Sequence, residues 1–349
     1  MLERELKFAI PKASRESIAA AVGADSERDH LRAQYFDTAD RRLAKGRAAI
    51  RLRLERGEWV QTFKMAGADA LSRIELNHPC PARRLDLSVY AGTPAEAVLA
   101  GLADQLGVRY ETDVRRSTRV EQTAAGMVEL AFDVGVIRAG ELELPLCELE
   151  FELISGQPSF LFSVAGRWLT PYGLVMDLRS KAERGDALAN AAARIEAAAP
   201  GDRHAMRETE LALLRAPRVA RRMNSASHMT PAEALAAATA ECIEHIARNA
   251  EPLAAVWGTP GAGRTDACHA RQLRAGLRRL LGAWRLCRHA GGLPPAPLRV
   301  AACAYCGLLG RSTGAGSTEA AKLAASAAFQ AWLLGLLAWN VGAREGWSA

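Results

Sequence analysis

A chain of 349 residues, 49% hydrophobic and 24% charged, is longer than one ordinary core serves and too apolar to be disordered, so two globular domains are expected. The formal net charge of +6 favours an anionic partner without choosing among nucleic acid, membrane surface and phosphorylated small molecules. Seven cysteines scattered along the chain read as reduced thiols, and the lone C-x-x-C pair Cys303 and Cys306 lacks the second ligand pair that a zinc site needs.

The opening MLERELKF carries charges inside its first apolar stretch, so no leader segment is expected and the expected address is cytoplasmic. Up to about Gly185, short alternating segments separated by turn residues carry the period of β-strands. Helices interrupt them at Ser14 to Val22, at Thr93 to Leu106 with Thr93 as N-cap and Pro94 behind it, and at Ser159 to Leu169. Residues 1–186 therefore read as an α+β domain dominated by strands, and residues 187–228 as a linker with helical segments that includes the basic run Ala216 to His228. Thr230 and Pro231 open a helix. Helical periods then continue to the end, with breaks at 258–263, 291–297 and 314–316, so residues 229–349 read as an all-α bundle. Leu323 to Ala343 has no charged residue and about the length of a membrane span. Its Ser326, Gln330 and Asn340 favour a buried helix of the bundle, and no membrane partner is expected.

Strand parity supplies the chemistry. Residues two apart share a face, so Glu3, Glu5 and Lys7 oppose Leu2, Leu6 and Phe8. The same split recurs for Arg51, Arg53 and Glu55, for Arg73 and Glu75, for Glu129 and Asp133, and for Glu148, Glu150 and Glu152 against Leu149, Phe151 and Leu153. Three glutamates in a row on one face repel one another unless something neutralises them. If these strands close into a barrel covered outside by helices, the charged faces line one polar cavity. Hard divalent cations prefer carboxylate oxygens and substrate phosphates, while Arg and Lys neutralise what phosphate charge remains.

Glu3-Arg4-Glu5-Leu6-Lys7 resembles the E-x-E-x-K signature that opens CYTH domains, the triphosphate tunnel metalloenzymes. Tyr35-Phe36-Asp37-Thr38, Ile50-Arg51-Leu52-Arg53, Lys64, Arg73-Ile74-Glu75, Arg116, Glu129 to Asp133 with Gly135, Cys147 to Leu153, and Ser180-Lys181 with Arg184-Gly185 are similar to later motifs of that family, in order. The resemblance implies an eight-stranded antiparallel tunnel that cleaves a triphosphate with metal-activated water, inorganic triphosphate being the implied substrate. Glu3, Glu5, Glu148 and Glu150 are assigned to Mg2+ or Mn2+, with Asp133 and Glu152 as second choices, because hydrolysis needs one ion on the phosphates and one to ionise water. Lys7, Arg51, Arg53, Lys64, Arg116, Lys181 and Arg184 are assigned to phosphate oxygens, and Glu3, Glu5, Lys7 and Lys64 form the expected catalytic core. His30, His78 and His204 stand without a carboxylate at ligand spacing, so no histidine base is nominated.

In the C-terminal half, Thr230 to Leu253 followed by Gln272 to Leu280 resembles the opening of a CHAD domain, shortened or diverged. Arg271 stands where that family has its histidine, and Arg274 and Arg278 make a basic helix stripe. An intact domain of that kind implies polyphosphate as a partner; no nucleic acid is expected. Competing readings are a thiamine triphosphatase, a nucleoside triphosphatase or a class IV adenylyl cyclase on the same fold, and a non-catalytic polyphosphate-binding protein.

Overall fold

The structure, a computed structural model, describes residues 2–23, 26–67, 69, 71–222, 229–257, 264–289, 292–311 and 316–345. In chain order the elements are β1 (Leu2–Ala9), α1 (Arg15–Gly23), β2 (Glu27–Asp37), α2 (Arg42–Lys45), β3 (Ala48–Glu55), β4 (Glu58–Ala66), β5 (Ser72–Pro79), α3 (Pro94–Leu99), β6 (Gly107–Thr123), β7 (Gly126–Ala139) and β8 (Leu142–Gly156). They continue with α4 (Pro158–Tyr172), β9 (Val175–Met176), α5 (Lys181–Ala197), α6 (Arg203–Leu214), α7 (Pro231–Val256), α8 (Arg264–Leu286), α9 (Ala296–Arg311), α10 (Gly316–Ala325) and α11 (Ala327–Glu345). Strand order is β5-β4-β3-β2-β6-β7-β8-β1-β9, and β5 also pairs with β1, so eight strands close into an antiparallel barrel with β9 added beside β1. The expected α+β fold with an eight-stranded tunnel and a helical C-terminal region is what forms.

Contacts divide the chain into two compact units, one of Met1–Glu5, Ile18–Ser155 and Arg179–Arg215, the other of Leu6–Ser17, Gly156–Leu178 and Ala216–Ala349. In the first unit the alternation predicted from sequence becomes two surfaces. Ile50 and Phe63, paired in register between β3 and β4, point outward and are covered by Tyr90, Ala95, Leu99 and Leu102. Arg51 and Arg53 occupy the opposite, inward face. Farther along the barrel the inward faces turn apolar, and Leu188, Ala189 and Ala191 of α5 pack there against Tyr35, Tyr110, Val114, Ile137 and Leu146. Residues 187–215, expected within a linker with helical segments, carry the end of α5 and all of α6 and fall in this unit, where Glu210 of α6 accepts two bonds of 2.6 Å from Arg194.

Two helices differ from expectation. The helix expected over Thr93 to Leu106 keeps its cap, Ala95 N–H donating to Thr93 Oγ1 at 3.2 Å, but α3 stops at Leu99 because Gly101 enters the left-handed region at φ +69°. The apolar helix expected over Leu323 to Ala343 breaks at Ser326, whose hydroxyl accepts from Phe329 N–H and so caps α11; the pieces on either side meet at 63°. Among the described residues no single helix is long and apolar enough to cross a membrane. Gln330 and Asn340 are buried within the second unit, receiving Met176 N–H at 3.0 Å and donating to the Ala236 carbonyl at 2.7 Å respectively. The basic run Ala216 to His228 is described only to residue 222, and the breaks at 258–263 and 314–315 lie outside the described residues.

The turn after β2 shows why the Y-F-D-T segment carries an aspartate. Asp37 is buried, and its carboxylate accepts from the backbone N–H groups of Thr38 (2.7 Å), Leu43 (2.9 Å) and Ala44 (3.0 Å), which fixes α2 and the entry to β3. Asp37→Ala strands those donors and is expected to destabilise the protein by about 2 kcal/mol, read from denaturant midpoints, with Asp37→Asn losing less.

Candidate active site

Sheet register, which no local sequence pattern specifies, assembles the charged side chains. β4 and β5 set Lys64 opposite Glu75, and β6 and β7 set Arg116 opposite Asp133. Around Lys64 the ammonium lies 2.9 and 2.8 Å from the two oxygens of Glu3 and 2.5 Å from Glu75. Burial, together with Glu75 and Glu5, pushes the Glu3 carboxyl up to about 8 against the pull of Lys64. Glu75 moves the other way: burial opposes its charge, yet Lys64 and the bond to Glu3 hold it well below the usual range. Glu152 is pushed up to about 7 by burial, with Glu75, Glu129 and Glu5 adding to the shift. This part of the cavity therefore holds more carboxylates than cations.

A second group is balanced. One oxygen from each of Asp133, Glu148 and Glu150 lies within 4.8 Å of the others. Arg116 donates to both oxygens of Asp133 at 2.7 and 2.6 Å and to Glu150 at 2.8 Å. Lys181 reaches all three carboxylates, at 2.7, 2.5 and 2.8 Å, and Arg184 pairs with Glu148. Burial disfavours the charge on Lys181, but the three carboxylates outweigh it and raise the ammonium above its usual value.

The cationic wall is built from β3. Arg51 donates to the Tyr35 hydroxyl at 3.0 Å and Arg53 pairs with Glu55, while Nε of each is a buried donor with no hydrogen-bond partner among the described residues. A buried unpaired donor costs stability unless some acceptor visits it. Two such donors beside clusters of carboxylates fit a polyanion carried in with divalent metal. The oxygen-only donor sets suit a hard divalent cation.

The structure thus divides the six predicted metal residues. Asp133, Glu148 and Glu150 form one group; Glu3 lies at Lys64, and Glu5 and Glu152 belong electrostatically with it. Lys7 shares a β1 face with Glu3 and Glu5 and is buried, but it has no side-chain ion pair among the described residues. Sequence reasoning missed Glu75 as a partner of Lys64, although its parity with Arg73 had placed it on the charged face. It also missed Tyr35, whose ring stacks on Tyr110 at 4.6 Å while its hydroxyl holds Arg51. His30 does meet a carboxylate, Asp113 at 2.6 Å, on the exposed end of β2.

With this geometry in hand, the family model of the CYTH domain matches residues 1–184. An inorganic triphosphatase of Haemophilus influenzae is 33% identical over 161 residues, which are 43% of this chain and 44% of that protein. The chain therefore spans less than half the length of this relative. Among solved structures, a Hippeastrum protein described with a dominant triphosphatase activity shares 16% identity, covering 53% of this chain and 95% of that one at a TM-score of 0.38. A Pyrococcus horikoshii protein shares 18% identity, covering 52% and 96% at a TM-score of 0.36.

Proposed function

The chain belongs to the CYTH domain family, and from that premise we propose that it hydrolyses inorganic triphosphate to diphosphate and phosphate with Mg2+ or Mn2+ in its tunnel. The observation that carries the reading is the pairing of orphaned cationic donors with carboxylate clusters in one barrel. Arg51 Nε and Arg53 Nε await acceptors, while Asp133, Glu148 and Glu150 offer oxygens spaced for one ion. A protein that only held polyanions would gain nothing from a face of glutamates, which repels phosphate. That argues against the non-catalytic polyphosphate-binding alternative.

In this reading Asp133, Glu148 and Glu150 hold one divalent ion, and Glu3, Glu5 and Glu152 relieve their crowding on a second. When bound, such ions neutralise phosphoryl oxygens and lower the pKa of water. Arg51 and Arg53 orient the phosphate chain with forked donors and stabilise the charge that spreads over its oxygens as the bond breaks. Tyr35 holds Arg51 in place, and Lys7 and Lys64 supply further positive charge from β1 and β4.

The test is phosphate release from tripolyphosphate, longer polyphosphate, thiamine triphosphate and ATP, each with Mg2+, with Mn2+ and with chelator. The expected result is metal-dependent release with tripolyphosphate preferred. Preference for ATP or thiamine triphosphate overturns the substrate. Activity that persists unchanged in Glu5→Ala or Glu150→Ala protein overturns the mechanism.

A further inference from the structure

We propose that Lys181 is a resident counter-ion of the metal site, holding the carboxylates of Asp133, Glu148 and Glu150 together when no divalent ion is bound and being displaced when one enters. The inference rests on the reading of those three side chains as metal ligands.

The Lys181 ammonium lies within ion-pair distance of three different carboxylates, at 2.7 Å from Asp133, 2.5 Å from Glu148 and 2.8 Å from Glu150, to which it donates. The Lys181 nitrogen is therefore placed as a small cation would be, among acidic side chains whose ligand oxygens lie within 4.8 Å of one another. A divalent ion drawing on the same three carboxylates at about 2.1 Å would lie too close to a stationary ammonium for both to stay.

Charge balance points the same way. Three carboxylates already face three cations, Arg116, Lys181 and Arg184, so an arriving ion finds no net attraction unless one cation leaves. Arg116 is fixed by its fork on Asp133, directly opposite in register, and by Glu150. Lys181, whose charge sits at the end of a flexible unbranched stem, is the member proposed to leave. Its backbone opens α5 immediately after Ser180, whose hydroxyl accepts from Glu183 N–H at 3.0 Å. A flexible four-carbon stem can therefore swing away without moving the helix.

Displacement has a consequence for the order of events. With the ion in and the ammonium expelled, this cluster holds a surplus of positive charge that a triphosphate would neutralise. Metal and substrate therefore bind cooperatively, and metal alone binds weakly.

Mn2+ binding to the full chain without phosphate, followed by the loss of the free-ion spin resonance signal, tests this. Lys181→Met is expected to tighten Mn2+ by about tenfold or more, because the competitor is gone. Arg184→Met removes the same charge from the same cluster without vacating the ion's position, and is expected to gain no more than about threefold. Equal gains in the two variants mean that only the local potential matters, and overturn the displacement; so does Lys181→Met binding that is unchanged or weaker. Glu148→Gln separates the two readings: if it leaves Mn2+ affinity unchanged, the metal assignment itself falls, whereas if it weakens binding while Lys181→Met gives no gain, only the displacement falls. A measurement on the unmodified protein does not depend on any variant folding. Acetylation of Lys181 by an amine-reactive reagent, read by mass spectrometry, is expected to rise severalfold when Mg2+ is added, and an unchanged or lower yield overturns the proposal.

Discussion

Arg116→Ala is expected to destabilise the protein by about 3 kcal/mol and to cut phosphate release by about a hundredfold or more. The guanidinium bridges Asp133, which is fully buried, and Glu150, and its side chain is 20% exposed. Removing it leaves two carboxylates with too little positive charge in a site where desolvation is already costly. Some of the loss is recovered by water reaching the partly open side, which keeps the effect near the low end for a buried pair. Arg116→Lys restores the charge but not the fork. Its single nitrogen cannot present two parallel donors to Asp133 while reaching Glu150 along the line the guanidinium takes, so it should recover part of the stability and little of the activity.

The pH dependence supplies a second check on the same variant. Burial raises the Asp133 carboxyl, but Lys181 and Arg116 outweigh it and hold the group below its usual value. A carboxyl depressed on folding contributes stability above its unfolded pKa and loses it as pH falls through the folded value. The gap between wild type and Arg116→Ala is therefore expected to be full at neutral pH and to narrow below about pH 4. A gap that is constant across that range, measured by denaturant titration, rejects the ion-pair account.

Arg116 also shows where the sequence was readable and where it was not. Arg115 and Arg116 are adjacent, so composition gives no reason to prefer either; strand parity separates them, and only the β6–β7 register puts Arg116 opposite Asp133. The alternation of charged and apolar residues made the barrel and its charged lining legible, because a two-residue period is a local property. Which carboxylate meets which cation is a matter of register between strands, which is why Glu75 was read as one more charged-face residue and not as the partner of Lys64. Helix ends failed for a different reason. The Thr93 cap and the apolar run after it were correct signals, but Gly101 and Ser326 terminate or restart helices through backbone geometry that a hydrophobic pattern does not record. The motif Ser180-Lys181 with Arg184-Gly185 was legible as a unit. Its function in the fold, bringing α5 against the inward faces of β6 and β7, was not.

That last point makes Gly185 a position where the sign of an effect decides the matter. Inside a helix, glycine to alanine ordinarily stabilises by roughly 0.5–1 kcal/mol, since alanine restricts the unfolded chain. Gly185 lies within α5, yet a Cβ there would sit 2.2 Å from ring atoms of Tyr110. Tyr110 cannot simply tilt, because it stacks on Tyr35 at 4.6 Å, and Tyr35 accepts the bond from Arg51 at 3.0 Å. If α5 retreats instead, Lys181 and Arg184 at its start are drawn off Asp133, Glu148 and Glu150. Either relaxation reaches the site, so Gly185→Ala is expected to destabilise by about 2–3 kcal/mol and to lower phosphate release by about tenfold or more. Tyr110→Leu in the same chain makes room for the methyl group. The double variant should then be distinctly less damaged than the sum of the two single changes, a coupling that independent sites do not show. If Gly185→Ala is neutral or stabilising, or if the two substitutions simply add, the close approach of α5 to Tyr110 does not control the geometry of the tunnel.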